Sequence, residues 1–253
     1  MFSHEGSARS DGQNRRVAGY LACVGGFVNS CGFVLIGTFT SHVTGNVGRL
    51  ANDAATGQYA ASVAALSMIV SFFAGAFCAS VIIESRLLGP TSRSYASALA
   101  MEALLLLLFT LLTYVTNTAH ARVRDAEAAL LCGAMGIQNA LVTRLSGAVV
   151  RTTHLTGVVT DLGIECARWF RFWRSSLSMG LLFGRNAAER PALPKVLLLG
   201  TIAAGFFACA SAGAFSATHY RHASMLIAVV AVLACAVYAG QSERVWATDL
   251  DQP

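Results

Sequence analysis

The sequence predicts an all-α integral membrane protein of about six transmembrane helices, built as two inverted three-helix repeats whose first helices are broken or re-entrant. Three observations carry this expectation. The 253 residues have a mean hydropathy of +0.58 and only 12% charged side chains, against about 25% in soluble domains, too few to coat a water-soluble globule. Six apolar runs are each long enough to cross a hydrocarbon core of about 30 Å at about 1.5 Å per helical residue. A set of short motifs also recurs, in order, in the two halves of the chain.

The polar segment 1–16 is rich in Ser, Gly, Asp and Asn and reads as a solvated tail. The first apolar run, 17–37, follows Arg15 and Arg16. Five further runs and the lack of a small-residue cleavage site favour a retained helix over a signal peptide. Runs 59–83 and 95–116 complete a first repeat of about 17–117. The second repeat, about 126–240, opens with run 126–145 and closes with runs 196–217 and 223–240, each bounded by charge, Pro or a polar loop. Segment 241–253 is a second polar tail. Strand-like alternation is weak throughout, which argues against a membrane barrel.

The connection between the fourth and fifth runs, about fifty residues, is the longest, and no separate soluble domain fits in it. Within it, Leu162, Cys166, Trp169, Phe170 and Trp173 recur at helical spacing, with Arg168, Arg171 and Arg174 on another face. That pattern predicts an interfacial helix lying on an anionic leaflet, or simply a basic amphipathic connector.

Positive charge is retained on the cytoplasmic side. With the N-terminus inside, thirteen of the eighteen Lys and Arg residues fall in cytoplasmic segments and four outside, while Arg144 sits at the end of the fourth run. Both termini are therefore expected in the cytoplasm. The net charge of +5 then reflects topology, and with no basic soluble domain a nucleic-acid partner is not expected.

The repeat is the most informative feature. Gly26, Phe27, Val28 and Asn29 correspond to Gly136, Ile137, Gln138 and Asn139 at an offset of 110, as Gly37 does to Gly147. At an offset of 112, His42, Val43, Thr44 and Gly45 correspond to His154, Leu155, Thr156 and Gly157. Because each half holds an odd number of spans, the copies must cross in opposite directions, as in many secondary transporters. The segments TFTSHVTGN at 38–46 and GAVVRTTHLTG at 147–157 interrupt apolar periodicity with Gly, Thr and His. Either they are unwound backbone lining a polar cavity, which membrane depth tolerates only there, or they are ordinary turns outside the membrane. Thr44 and Thr156 are placed to cap a following half-helix, whose positive end favours an anion or a carboxylate.

Candidate substrate-binding residues are accordingly Asn29, His42, Thr44, Asn46, Gln138, Asn139, His154, Thr156 and Asp161. The polar residues within spans serve equally well as hydrogen-bonding contacts between helices. Glu102 in the third run and Arg144 near the end of the fourth fall near the same leaflet and are expected to form an intramembrane charge pair. Asp161 and Glu165 are spaced to meet Arg168 locally instead. Six of the seven cysteines lie in apolar runs without a C-x-x-C pair and read as small packing residues. No metal site, cofactor or hydrolase, zinc-protease or nucleotide-binding motif is present in the sequence, so no enzyme is expected. Gly75 and Ala79 allow close helix packing within the chain or in a homo-oligomer.

The stretches GGFVNSCGF and TSHVTGN, with AMGIQNALV and VRTTHLTGVVTDLG, resemble the YoaK-like family of bacterial membrane proteins over nearly the whole six-span chain. The resemblance implies a multi-pass protein of the bacterial plasma (inner) membrane and carries no agreed activity. The expected function is a secondary transporter or permease for an unidentified small solute, with the lipid bilayer as its other partner. The alternatives are a non-transporting scaffold or sensor and, less favoured by the residues, a membrane-embedded enzyme.

Overall fold

The computed structural model describes residues 10–85, 91–116, 121–146, 155–178 and 192–241. Its order is α1 (Asp11–Ile36), α2 (Val43–Ala55), α3 (Tyr59–Ser85), α4 (Thr91–Val115), α5 (Ala121–Leu145), α6 (Leu155–Ser178), α7 (Leu193–Tyr220), a 3-10 turn at Arg221–Ser224 and α8 (Met225–Gln241). No strand occurs among the described residues.

Five helical stretches are long and apolar enough to cross a membrane: Asp11–Ile36, Tyr59–Ser85, Thr91–Val115, Arg122–Leu145 and Leu193–Gln241. The last, at 49 residues, is α7 and α8 joined through the 3-10 turn, where Arg221 takes the positive φ of 48°. It is about twice the length one crossing needs. Together these stretches make the chain a membrane protein. Large apolar side chains on α3 and α8 are exposed, among them Phe73, Phe77, Val230 and Val237. A soluble monomer does not present so extensive an apolar surface.

α1 begins six residues upstream of the apolar run because Ser10 and Gln13 form a capping box: the Ser10 hydroxyl accepts from the Gln13 N–H at 3.3 Å, and the Gln13 side chain accepts from the Ser10 N–H at 3.2 Å. Part of the segment read as a solvated tail is thus helical. α1 ends at Gly37, whose φ of 75° is the left-handed conformation that glycine adopts without a Cβ penalty.

The three most extensive helix pairings run across the chain, while α4 with α5 and α2 with α3 also pack as neighbours along it. α1 packs along α7, α3 along α5 and α4 along α8, with α1 and α5 meeting between them. Leu21, Tyr95, Leu99, Leu106, Leu131, Met135 and Leu141 form the fully buried centre of this bundle. Two of the contacts are close enough to bring backbones together. A Cβ added at Gly26 or Gly213 would collide with the carbonyls of Phe206 or Phe27 across the α1–α7 contact. One added at Gly136 or Gly75 would collide with those of Phe72 or Gly133 across α3–α5. Small residues at these crossings let helices approach where lipid offers no hydrophobic drive for association.

Two expectations are corrected. Cys23 of α1 and Cys209 of α7 are joined in a disulfide, with Cα atoms 5.0 Å apart, so these two cysteines do more than fill space. A separation of 186 residues left no spacing by which to pair them. Arg144 pairs with Glu84 at the end of α3, both partly exposed, and not with Glu102. Glu102 is fully buried, and neither of its carboxylate oxygens is hydrogen-bonded among the described residues. It is close enough to Tyr20 and Cys235 to act on both electrostatically. The α3–α5 packing brings Glu84 to Arg144, whereas α4 turns Glu102 toward α8.

Candidate functional site

The site starts from the way α1 stops. Beyond Gly37 the chain runs through Thr38–Ser41 before α2 begins, and Asn29, about two turns earlier on α1's inner face, holds that loop. Its Oδ1 accepts from the Thr40 N–H at 3.0 Å, the Ser41 N–H at 3.2 Å and the Ser41 hydroxyl at 3.2 Å. Phe39 stacks on Phe33 with ring centroids 4.2 Å apart, closing the loop back against α1. The asparagine of the first G-x-x-N motif is therefore the anchor of the loop, because one side-chain oxygen satisfies two backbone donors that no secondary structure serves.

α2 starts at Val43, with His42 as N-cap and no side-chain cap hydrogen bond. The first intrahelical bond is Asn46 N–H to the His42 carbonyl at 3.1 Å, so the N–H groups of Val43, Thr44 and Gly45 are left without acceptors among the described residues, as helix starts leave them. Thr44 lies inside the first turn and does not cap it. In the first copy the H-x-T-G spacing brings the histidine over the glycine. The His42 ring lies back over Gly45, where any Cβ would collide with its Nδ1.

In the second half α6 starts at Leu155, followed by exposed Thr156 and Gly157, buried Val158 and half-buried Asp161. Its other end is fixed to α7. The Glu165 carboxylate, 1% exposed, accepts from Arg168 at 2.7 Å and Lys195 at 3.0 Å. The Lys195 ammonium first, and the Arg168 guanidinium with it, hold the Glu165 carboxyl below the usual carboxylate range. Asp161 takes no part in this cluster and makes no ion pair among the described residues.

A cavity of about 1300 Å³ lies between these segments. Residues from both halves line it: Asn29 of α1, then Phe39, Ser41, His42, Val43 and Thr44 of the first interrupted segment and Val47 just beyond it, and Leu155, Thr156 and Gly157 of the second with Val158 and Asp161 further along α6. Ile69, Phe72, Phe73 and Ala76 of α3 and Leu199, Ile202 and Phe206 of α7 complete the wall. Of the residues expected from sequence, Asn29, His42, Thr44, Thr156 and Asp161 meet here. Asn46 is buried on α2 and does not line the cavity. Gln138 points away from the cavity to the Leu21 carbonyl, tying α5 to α1. Asn139 donates to the Met135 carbonyl at 2.7 Å within its own helix. His154 and Gly147 lie outside the described residues. No group of three or more metal-ligating side chains occurs among the described residues.

Sequence reasoning missed the aromatic walls, although a signal for them was present. Phe72, Phe73, Ala74 and Ala76 recur as Phe206, Phe207, Ala208 and Ala210 at an offset of 134. Phe72 and Phe206 each line the cavity, and each offers its backbone carbonyl to the close-packed glycine of the other half's first helix.

A family model described as a protein of unknown function (DUF1275) matches residues 17–239. No curated protein and no solved structure matches the chain.

Proposed function

We propose, for a chain that belongs to the DUF1275 family of proteins of unknown function, that it is a secondary transporter or permease for a small solute. It is built as two inverted three-span halves in the bacterial plasma (inner) membrane, with both termini cytoplasmic. The observation that carries this reading is the shared cavity: His42, Val43 and Thr44 at the start of α2 and Leu155, Thr156 and Gly157 at the start of α6, more than a hundred residues apart, line one chamber.

The packing supports the inverted halves. If α5 is the counterpart of α1 and α7 of α3, the α1–α7 and α5–α3 contacts exchange with one another. The α4–α8 and α1–α5 contacts map onto themselves. A pseudo-twofold axis would exchange them in this way, and the cavity would then lie where two similar halves face each other, the arrangement from which alternating access follows by rocking one half against the other. Six crossings are reached by counting the 49-residue stretch as two, and the loop charges orient them.

The second reading, a membrane scaffold or sensor, draws on α6, where Phe170 and Trp173 are exposed beside Arg171. Proteoliposomes holding the purified full chain, assayed for uptake and counterflow of a broad panel of radiolabelled small solutes, separate the two. Saturable flux of at least one solute is expected. Inertness across the panel by protein with an intact cooperative unfolding transition would overturn the transport reading, and loss of a copurifying partner on deleting 158–174 would then favour the other.

A further inference from the structure

We infer, resting on the transport reading, that the solute is a small zwitterion of the α-amino-acid class with an apolar side chain. Its carboxylate would be held at Asn29 and the start of α2, and its ammonium at Asp161.

The charge inventory of the cavity points this way. Among the described residues no lysine or arginine lines it, and its one carboxylate is Asp161. A plain organic anion would meet a negative group and, among the described residues, no cation. Of the described cations near these segments, Arg168 and Lys195 are committed to Glu165 and Arg144 to Glu84, while Arg49 on α2 turns to the Thr38 hydroxyl at 3.5 Å and does not line the cavity. Asp161 thus faces the chamber with no ion-pair partner among the described residues, and a carboxylate half removed from water is expensive without one.

The part of the lining contributed by α1 and α2 is a donor set. Asn29 is only 9% exposed. Its Oδ1 is consumed by three donors from Thr40 and Ser41, and its NH₂ makes no hydrogen bond among the described residues. Because the residue lines the cavity, that amide is the group it offers there. Beside it stand the Thr44 hydroxyl and the three acceptorless N–H groups of the first turn of α2, where the helix dipole favours a negative group. A plain amine would satisfy Asp161 and leave this part of the lining empty. A molecule carrying both charges satisfies both, and Phe39, Phe72, Ile202 and Phe206 suit an aliphatic or aromatic side chain.

The test is binding of L-leucine to the purified full chain in detergent by isothermal titration, with 4-methylpentanoate and 3-methylbutylamine as comparators that each lack one charge. Leucine is expected to bind at least ~10-fold tighter than either, the equivalent of ~1.4 kcal/mol. Asp161→Asn should erase its advantage over 4-methylpentanoate. Asn29→Asp, which keeps the loop acceptor and replaces the NH₂ with a carboxylate oxygen, should erase its advantage over 3-methylbutylamine. Either comparator binding as tightly as leucine would overturn the proposal. So would no binding of leucine or L-phenylalanine by protein that transports some other solute, an outcome that leaves the transport reading standing. Amino-acid binding without flux of any solute would sink the transport reading instead.

Discussion

In the α1–α7 contact, Gly26 backs onto the Phe206 carbonyl, and in the α3–α5 contact Gly136 backs onto that of Phe72. One turn along, the two part company. Cys23 is bonded to Cys209 in the first, while at the corresponding positions of the second Gly133 meets Gly75 as bare backbone. The close approach is therefore set by the glycines facing Phe carbonyls and is common to both. What occupies the adjacent turn is free to differ, a covalent tie in one contact and packing alone in the other. Under the transport reading, α1 and α7 move as one body, and relative motion between helices is concentrated at α3 and α5.

The largest expected effect tests that tie. Replacing both bridge cysteines, Cys23→Ser with Cys209→Ser, is expected to cost about 2–4 kcal/mol. It should appear as a lower thermal-unfolding midpoint in detergent, matched by wild-type protein in reductant. Equal midpoints with and without reductant would remove the asymmetry between the contacts.

Next come the glycines that the two contacts share. Gly136→Ala and Gly26→Ala each drive a methyl into a carbonyl on the facing helix, and overpacking of this kind costs about 1–3 kcal/mol. Similar losses from both are expected, because the obstruction is backbone in each case. Gly200→Ala, on the same α7 but with open space around it, should be neutral within about 0.5 kcal/mol. A large loss from only one of the two buried substitutions would break the equivalence of the halves.

How much of this was legible depended on whether a signal was local. Apolar runs announced the long helices, since lipid demands them continuously along the chain. The H-x-T-G pair announced the segments that meet at the cavity, because helix interruption is written in Gly, Thr and His. The S-D-G-Q start of α1 was also legible, as a capping box hidden in a segment whose polarity suggested a tail. Partnership between distant residues was not. Nothing at Cys23 points to Cys209, and Glu84, at the edge of a span, was as good a charge partner for Arg144 as Glu102. Gln138 replaces Val28 of the other copy and spends its amide on the Leu21 carbonyl. The repeat therefore marked its position without revealing that its side chain joins two helices.

A smaller effect separates the two asparagines of the repeat. Asn29→Ala strips the acceptor from the Thr40 and Ser41 N–H groups, and an unsatisfied, largely buried donor costs about 1–2 kcal/mol here, with water reaching Ser41. Hydrogen exchange at residues 38–46 should quicken, and Asn29→Asp, which retains an acceptor oxygen, should restore protection. Asn139→Ala, which removes the bond to the Met135 carbonyl within α5, should leave exchange in that loop unchanged. Unchanged exchange in Asn29→Ala would mean that the Phe33–Phe39 stack alone fixes the loop.

The smallest effect compares the ways in which α2 and α6 are fastened to the bundle. α2 is held to α3 by uncharged groups, including the Ser62 hydroxyl donating to the Leu50 carbonyl at 3.2 Å. α6 is held to α7 by Glu165 and Lys195. The Glu165 carboxyl lies below its ordinary value of 4.5 because the Lys195 and Arg168 cations favour its charged form. A depressed carboxyl stabilises at every pH above its unfolded value, and that contribution fades as pH falls through the folded one. Attachment of α6 is therefore expected to be constant from pH 7 down to about 4.5 and to loosen below it. Trp169 and Trp173 on α6 report this through a fluorescence shift. Glu165→Gln should give an α6 that is looser at pH 7 and insensitive to acid through this range, because no charge remains to be lost. The protection of α2 amides, taken relative to their intrinsic exchange rate at each pH, should stay flat over the same titration, since none of its hydrogen bonds to α3 among the described residues depends on a proton. If instead both helices release together in acid, the cause lies in the bundle that they share.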